Sequence, residues 1–357
     1  MYQRLNVVIS GAQGYVGQEL MTLINAHPCL NLVGIHVREG NIELPPSMPI
    51  FMRKTITIFS TPDLQQQASE IDVLLLATPA NVSMAIASTL INTNILIIDL
   101  SGAFRLPEKQ FIDWYGIPHT APHLIQNASY GLSPWVVHST DTMLIANPGC
   151  YATCALMTLL PLLKTKLIHP DSIIIDAKSG VSGAGKQAKP ALMFAEISNN
   201  VYPYKLGKHQ HIPEMCNHIE ALCGTAIQLR LSTSLLPVVR GISMSIYTDV
   251  APSFSSDKAL SLAIKEAFDI AYEDYPLIQY AEVGQNDTCT DEFMLGLKNV
   301  IHTPYTHIGY LINNGQLTLY SCIDNLLKGA ASQAIETINT LFQLPIQTGL
   351  LAAREEK

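Results

Sequence analysis

No run of apolar residues in this chain reaches the ~18 needed to cross a bilayer as a helix. The opening residues, Met1 to Asn6, lack the apolar stretch and small-residue cleavage site of a signal peptide. No Cys-x-x-Cys pair occurs. The seven cysteines, an odd number at irregular spacings, fit free thiols in a reducing compartment better than a disulfide framework. A cytoplasmic location is therefore expected. Internal repeats and low-complexity tracts are absent as well. Charged residues are sparse at 14%, and a net charge of -8 argues against a general nucleic-acid binder. No nucleic-acid or membrane partner is expected. What remains is a chain of 357 residues, 48% hydrophobic, long enough for about two domains with separate cores.

The first half has the pattern of a dinucleotide-binding fold. Leu5 to Ser10 is a short apolar run, and Gly11-Ala12-Gln13-Gly14-Tyr15-Val16-Gly17 follows at once. A helical period then runs from Tyr15 to Ala26, with Val16, Leu20, Leu23 and Ile24 on one stripe. A second strand is predicted over Leu32 to Val37. Strand, glycine turn, helix and strand make the context a phosphate-cradling loop requires, although the spacing is G-x-x-G-x-x-G rather than G-x-G-x-x-G. After the second strand come Arg38, suited to a 2′-phosphate, and Glu39, suited to a ribose hydroxyl. The balance favours NADP over NAD. Ile71 to Ala77 and Ile95 to Leu100 are near-continuous apolar runs, as expected of parallel strands covered on both faces. Met143 to Ala146 is a further short strand.

That last strand leads into Asn147-Pro148-Gly149-Cys150, a sharp turn before a predicted helix from Tyr151 to Thr165. A thiol at a helix N-terminus meets the positive end of the dipole, which favours the nucleophilic thiolate. A buried structural cysteine is the competing reading of the turn alone. Ligands of open α/β sheets bind beyond the carboxyl ends of the strands, which brings Cys150 and a cofactor to one edge. This convergence points to a redox enzyme.

In the second half, a strand over Ser172 to Ala177 precedes the glycine-serine-lysine segment Lys178 to Lys186, read as a loop suited to a nicotinamide amide or a phosphate. Alternating runs at Ile227 to Ser232 and Ile242 to Tyr247 predict half-exposed strands of a largely antiparallel sheet, with a helix over Ala259 to Tyr272. Lys208-His209-Gln210-His211-Ile212-Pro213-Glu214 puts two imidazoles in an extended window, on one face, where cysteine-based acyl transfer needs an acid/base near neutral pH. No cysteine or carboxylate at ligand spacing completes a zinc site there, so no metal is expected. Asp324 is placed to cap a helix running to about Phe342 and docking on the first domain. The predicted class is α/β: a Rossmann-type parallel-sheet domain, 1–149, completed by the C-terminal helix 325–357. An α+β domain with a mostly antiparallel sheet, 150–324, would hold catalysis and dimerisation.

Together these segments resemble the N-acetyl-gamma-glutamyl-phosphate reductase family, kin to aspartate-semialdehyde dehydrogenase and more distantly to glyceraldehyde-phosphate dehydrogenase. The resemblance runs from Gly11 to Leu350. Its most specific marker is Asn147 to Thr153, closed by Pro161; the others are Gly11 to Gly17, Ser179 to Gly185, His209 to Glu214, Pro237 to Gly241 and Asp324 to Ala330. The resemblance implies Cys150 as nucleophile and His209 or His211 as acid/base. Gly11, Gly14, Tyr15, Val16 and Gly17 would hold the pyrophosphate of NADP(H), with Arg38 at its ribose. Ser179, Gly180, Ser182, Gly183 and Asn325 would lie near its nicotinamide end, and Arg105, Asn147 and Arg240 would bind substrate. The implied reaction is NADPH-dependent reduction of N-acetyl-glutamyl 5-phosphate to the semialdehyde, releasing inorganic phosphate, by a homodimer or homotetramer. Reduction of aminoadipyl or aspartyl phosphate, and a non-catalytic NADP-binding role, are the alternatives. The chain departs from the family at Ala103 and Pro134, where carboxylates are usual, at Gln210, where Arg is frequent, and at Cys154, where a small residue is usual.

Overall fold

The computed structural model describes residues 4–37, 56–251, 254–284 and 295–351. Arg38 and Glu39 lie outside the described residues. The chain divides into two compact units, Met1–Gly149 with Ala330–Lys357, and Cys150–Gly329.

The first unit is built on seven strands, β1 (Leu5–Ser10), β2 (Leu30–His36), β3 (Thr57–Phe59), β4 (Val73–Leu76), β5 (Leu96–Asp99), β6 (Ala128–Tyr130) and β7 (Leu144–Ala146). They lie in the order β3-β2-β1-β4-β5-β7-β6, and every pairing is parallel. The all-parallel sheet follows from its apolar strands, because each residue of β4 and β5 is buried and only a sheet covered on both faces allows that. The order turns back between β1 and β4, which opens the crevice where such sheets take ligands. Helix α1 (Tyr15–Ala26) buries Leu20, Met21 and Ile24, with Met21 replacing Val16 and Leu23 on the covered stripe. Helices α2 (Thr61–Gln66), α3 (Ala80–Leu90) and α4 (Glu108–Tyr115) complete the layers. Val8, Leu74, Ile97 and Leu144 form the core with Met84 and Phe111.

The C-terminal helix, Ser332–Leu341, belongs to this unit and is buried from Ser332 to Asn339. Several of its polar residues are hydrogen-bonded where they go in. Gln333 Nε2 donates to the Gly131 carbonyl at 3.0 Å, and the Asn339 side chain meets the His27 ring at 2.9 Å. The predicted helix after Asp324 is thus present in two parts, because a π-helical turn, Leu327–Ala331, precedes the regular helix. The boundary between the units falls inside that turn. Such turns recur at functional sites.

The second unit begins with α5 (Cys150–Lys164), which is buried from Tyr151 to Leu163. Pro161, which closes the family's cysteine marker, sits inside this helix. Strands β8 (Ile173–Gly180), β9 (Tyr202–Pro203), β10 (Leu229–Leu236), β11 (Ile242–Thr248), β12 (Ile278–Glu282), β13 (Thr306–Asn313) and β14 (Gln316–Ile323) form one sheet in the order β12-β13-β14-β11-β8-β10-β9. β8 with β10 and β12 with β13 are parallel; the other four pairings are antiparallel. Helices α5, α6 (His211–Cys223) and α7 (Asp257–Tyr272) pack on the strands from one side. Among the described residues the other face is exposed in part. In β8, Ile173, Ile175 and Ala177 are buried while Ile174 is exposed, beside Tyr247 of β11. No described helix is long and apolar enough to cross a membrane.

Candidate active site

In the first unit the three glycines after β1 serve different ends. Gly11 has φ +85° and lies so close to β4 that a Cβ on it would fall 2.3 Å from the Ala77 carbonyl oxygen. Gly17 packs on the turn itself, with a Cβ position 2.3 Å from the Gly11 oxygen. Gly14 is the N-cap of α1, donates its N–H to Gly11 at 3.0 Å, and meets nothing nearer than 3.4 Å at its own Cβ position. Two glycines therefore close the turn, and the third leaves an open cradle over a helix start that carries no acidic residue. Half-buried Tyr15 and Val16 form that first turn. A helix N-terminus bared in this way fits the pyrophosphate of a dinucleotide.

Farther along the carboxyl edge, Arg105 is buried and donates to the backbone. Its Nε reaches the Asn147 carbonyl at 2.7 Å, and Nη2 reaches that of Leu100 at 2.9 Å. Asn147 is fully buried; its N–H donates to the Asp99 carbonyl at 2.9 Å and its side-chain amide faces Pro148 and Ala330 carbonyls. Two of the three residues expected to bind substrate thus hold the chain leading to Pro148-Gly149. Burial raises the pKa of Asp99, whose carboxylate takes the Ser101 N–H at 3.0 Å and hydroxyl at 2.8 Å.

In the second unit Cys150 is the first residue of α5 and is partly exposed. Cys154, one turn on, is fully buried with its Sγ on the Ser321 hydroxyl at 3.3 Å, a packing role. Beside Cys150, the Tyr151 hydroxyl meets that of Tyr204 at 2.7 Å, and burial holds the Tyr151 phenol protonated. Its ring lies edge-on to His209 at 5.3 Å and to His211 at 5.8 Å. The two imidazoles are 4.7 Å apart, so the structure brings them together, but not in extended chain. Gln210 is α-helical and His211 starts α6, which corrects the strand-like reading.

The pair is chemically unequal. The His211 N–H donates to Nδ1 of His209 at 3.2 Å, which leaves the proton of a neutral His209 ring on Nε2. Burial, with Lys205 nearby, holds its pKa down to about 3, so the ring is uncharged at neutral pH. His211 Nε2 instead lies 3.9 Å from a carboxylate oxygen of Glu214, one turn on and fully buried.

Ser179 and Gly180, predicted in a loop, are strand residues of β8; Val181–Ala184 form a short 3-10 turn. Gly180, Val181 and Ser182 bond to the backbone of Gly241, Val238 and Val239 at 2.9 to 3.0 Å, while Gly183 is exposed. Asn325 bridges this turn to β11, accepting the Gly241 N–H at 2.7 Å and donating to the Ser182 hydroxyl at 3.0 Å. Arg240 forms a two-point ion pair with the buried Asp324, at 2.9 and 3.1 Å.

Tyr204, Lys205 and the role of Glu214 were beyond sequence reasoning. Lys205 has a pKa lowered by burial, then by Lys189, and partly restored by Cys150, so all three share one neighbourhood. Its ammonium donates to Gln210, the residue between the histidines. Among the described residues no group of three or more His, Cys, Asp or Glu is arranged to hold a metal.

The fold and these residues define a dinucleotide-dependent oxidoreductase of the semialdehyde dehydrogenase class. Residues 6–142 match the family model "Semialdehyde dehydrogenase, NAD binding domain", and residues 150–325 match "Semialdehyde dehydrogenase, dimerisation domain". Aspartate semialdehyde dehydrogenase II of Vibrio cholerae has the same fold at a TM-score of 0.67 and 16% identity, covering 96% of this chain and 99% of that one. Within the class the chain belongs to the N-acetyl-gamma-glutamyl-phosphate reductase family. It is 37% identical to the reductase of a Geobacillus species, over 98% of this chain and 99% of that one. The Bacillus cytotoxicus enzyme of that name is 35% identical, over 97% and 98%.

Proposed function

We propose that the chain reduces N-acetyl-glutamyl 5-phosphate to N-acetyl-glutamate 5-semialdehyde, releasing inorganic phosphate, in arginine biosynthesis. The observation that carries this is a partly exposed thiol on the first residue of α5, whose neighbour Tyr151 packs against the rings of His209 and His211, in a chain whose full-length relatives bear that activity's name. The Cys150 thiolate adds to the acyl-phosphate carbonyl, and the carbon–oxygen bond to phosphate breaks, leaving a thioester. Backbone N–H groups at the helix start face the charge that builds on the carbonyl oxygen. NADPH, when bound, supplies the hydride that takes the thioester to the aldehyde level. His211, paired with Glu214, gives its proton to the departing thiolate, and neutral His209 donates from Nε2. Covalent catalysis divides one hard reduction into two easier steps.

Gly14 and the first turn of α1 would hold the pyrophosphate, Ser179 to Gly183 the nicotinamide end, and Lys205 the substrate's anionic groups. The first unit is thus the dinucleotide domain and the second the catalytic one. The partly exposed sheet face with Ile174 and Tyr247 suits assembly into a homodimer or homotetramer. A cytoplasmic setting suits the free thiols at Cys29, Cys150, Cys154, Cys216, Cys223 and Cys322.

The deciding assay runs the reaction backwards. With N-acetylglutamate semialdehyde and NADP, the chain is expected to form NADPH only when phosphate is present, and Cys150→Ser is expected to abolish it. Turnover with aspartate semialdehyde instead, or a folded and fully active Cys150→Ser variant, would overturn the reading.

A further inference from the structure

Dinucleotide folds commonly place an Asp or Glu at the end of their second strand, ~20 residues past the glycines, where it takes the adenosine ribose hydroxyls. Here β2 ends on His36, nineteen residues after Gly17 and in register with Ser10, the residue before Gly11. The His36 ring is 4% exposed and both of its nitrogens are engaged. Nδ1 lies 2.9 Å from the Ser10 hydroxyl and Nε2 lies 3.1 Å from that of Thr61, two residues past β3. A buried hydrogen-bond chain therefore ties together the carboxyl ends of three adjacent strands. Asp63, two residues beyond Thr61, is turned away into a capping box, taking the Ser60 N–H at 2.8 Å and hydroxyl at 2.5 Å.

We propose that His36 sets the choice between dinucleotides at this site. It stands as an uncharged donor and acceptor where a carboxylate is usual, admits a 2′-phosphate, and aims the Thr61 hydroxyl at it. The polarity of the chain is consistent along its length. In the Nε2–H tautomer Ser10 donates to Nδ1, Nε2–H donates to Thr61, and the Thr61 proton is left for an external acceptor; this is the tautomer the proposal requires. A carboxylate in the same place would bond the ribose hydroxyls of NAD and repel the dianion. Burial lowers the His36 pKa and so keeps the ring neutral in this role. The inference rests on the dinucleotide site argued above but concerns its adenosine end alone.

The test measures binding, not turnover, and uses ligands without nicotinamide. Titration calorimetry of the full chain with 2′,5′-ADP and with 5′-AMP is expected to show the phosphorylated ligand bound more tightly by about tenfold, the worth of one hydrogen bond to a charged group. His36→Asp is expected to erase that ratio, while His36→Gln, uncharged and still able to donate and accept, keeps most of it. Thr61→Val, a milder change, is expected to weaken 2′,5′-ADP several-fold and leave 5′-AMP unchanged. Equal binding of both ligands by the unmodified chain overturns the proposal. So does an unaltered ratio in a folded His36→Asp variant, or in Thr61→Val should the aspartate variant not fold. If the semialdehyde assay fails while these ratios behave as stated, the acyl substrate was misassigned and the role of His36 stands.

Discussion

Gly329, in the π-helical turn, lies directly against Cys150: a Cβ on the glycine would fall 2.7 Å from that of the cysteine. The site around the thiol therefore has no room for a methyl group. Gly329→Ala is expected to push Cys150 from its place at the head of α5. A displacement of ~1 Å near the reacting atoms can cost about a hundredfold in rate. The measurement is kcat in the semialdehyde assay alongside the rate of iodoacetamide labelling at Cys150. Unchanged values for both would mean that the helix start yields without consequence.

In the proposed reaction Glu214 acts through His211, whose ring it faces at 3.9 Å. Glu214→Gln keeps the volume and removes the charge beside that ring. The expected result is a fall in kcat of roughly tenfold to a hundredfold, within what general acid–base catalysis contributes. A purely structural glutamate would lower Tm and leave kcat where it was.

What the residues disclosed by themselves follows from how local the signals are. Leu5 to His36 was legible because strand, glycine turn and amphipathic helix each carry their own period, and Cys150 because Pro148-Gly149 marks a turn before an apolar helix. The His209–His211 window was misread as extended because Pro213 reads as a helix breaker, yet it is the third residue of α6, where a missing N–H costs nothing. Lys178 to Gly180 has the composition of a loop and becomes strand because β10 and β11 pair with it on both sides. Tyr204 and Lys205 reach the site from the segment after β9, two residues long, and no spacing rule announces them.

The glycine turn allows fold and binding to be separated. Gly17→Ala places a Cβ 2.3 Å from the Gly11 oxygen, and backbone must shift to relieve it. This variant is expected to lose several degrees of Tm or to be insoluble. Gly14→Ala meets nothing closer than 3.4 Å, so its Tm should stay within about 2 °C while NADP binding weakens about tenfold as the cradle fills. Equal stability loss in the two variants would contradict this division.

His209 makes stability depend on pH in a stated direction. A ring held at about 3 is neutral in the folded chain, whereas the unfolded chain takes up a proton below its ordinary value of 6.5. Its contribution is intact above that value and is lost as pH falls toward 3, by up to about 1.4 kcal/mol per unit. His27, His36 and His138 are lowered by burial too and share the trend. In urea titrations, His209→Asn is expected to lose less stability between pH 7 and pH 5 than the unmodified chain, in about that proportion. An equal loss would mean that the folded state carries the proton.

Arg240 separates a structural from a substrate-binding role, because its partner is known. Asp324 has no exposed surface and takes, besides the guanidinium, the N–H groups of His302 at 2.7 Å, Leu326 at 2.8 Å and Leu327 at 3.1 Å. Those last two bonds start the π-helical turn that ends against Cys150. Arg240→Met leaves the carboxylate buried without its counter-ion, a change that costs about 3–5 kcal/mol when a buried pair is broken. Adding Asp324→Asn removes the stranded charge, so the double variant is expected to recover part of the lost Tm. Arg240→Lys keeps one positive charge but not the two-point geometry, and should lower Tm and kcat while KM changes little. A raised KM with an unchanged Tm would show instead that the guanidinium is held in reserve for the substrate.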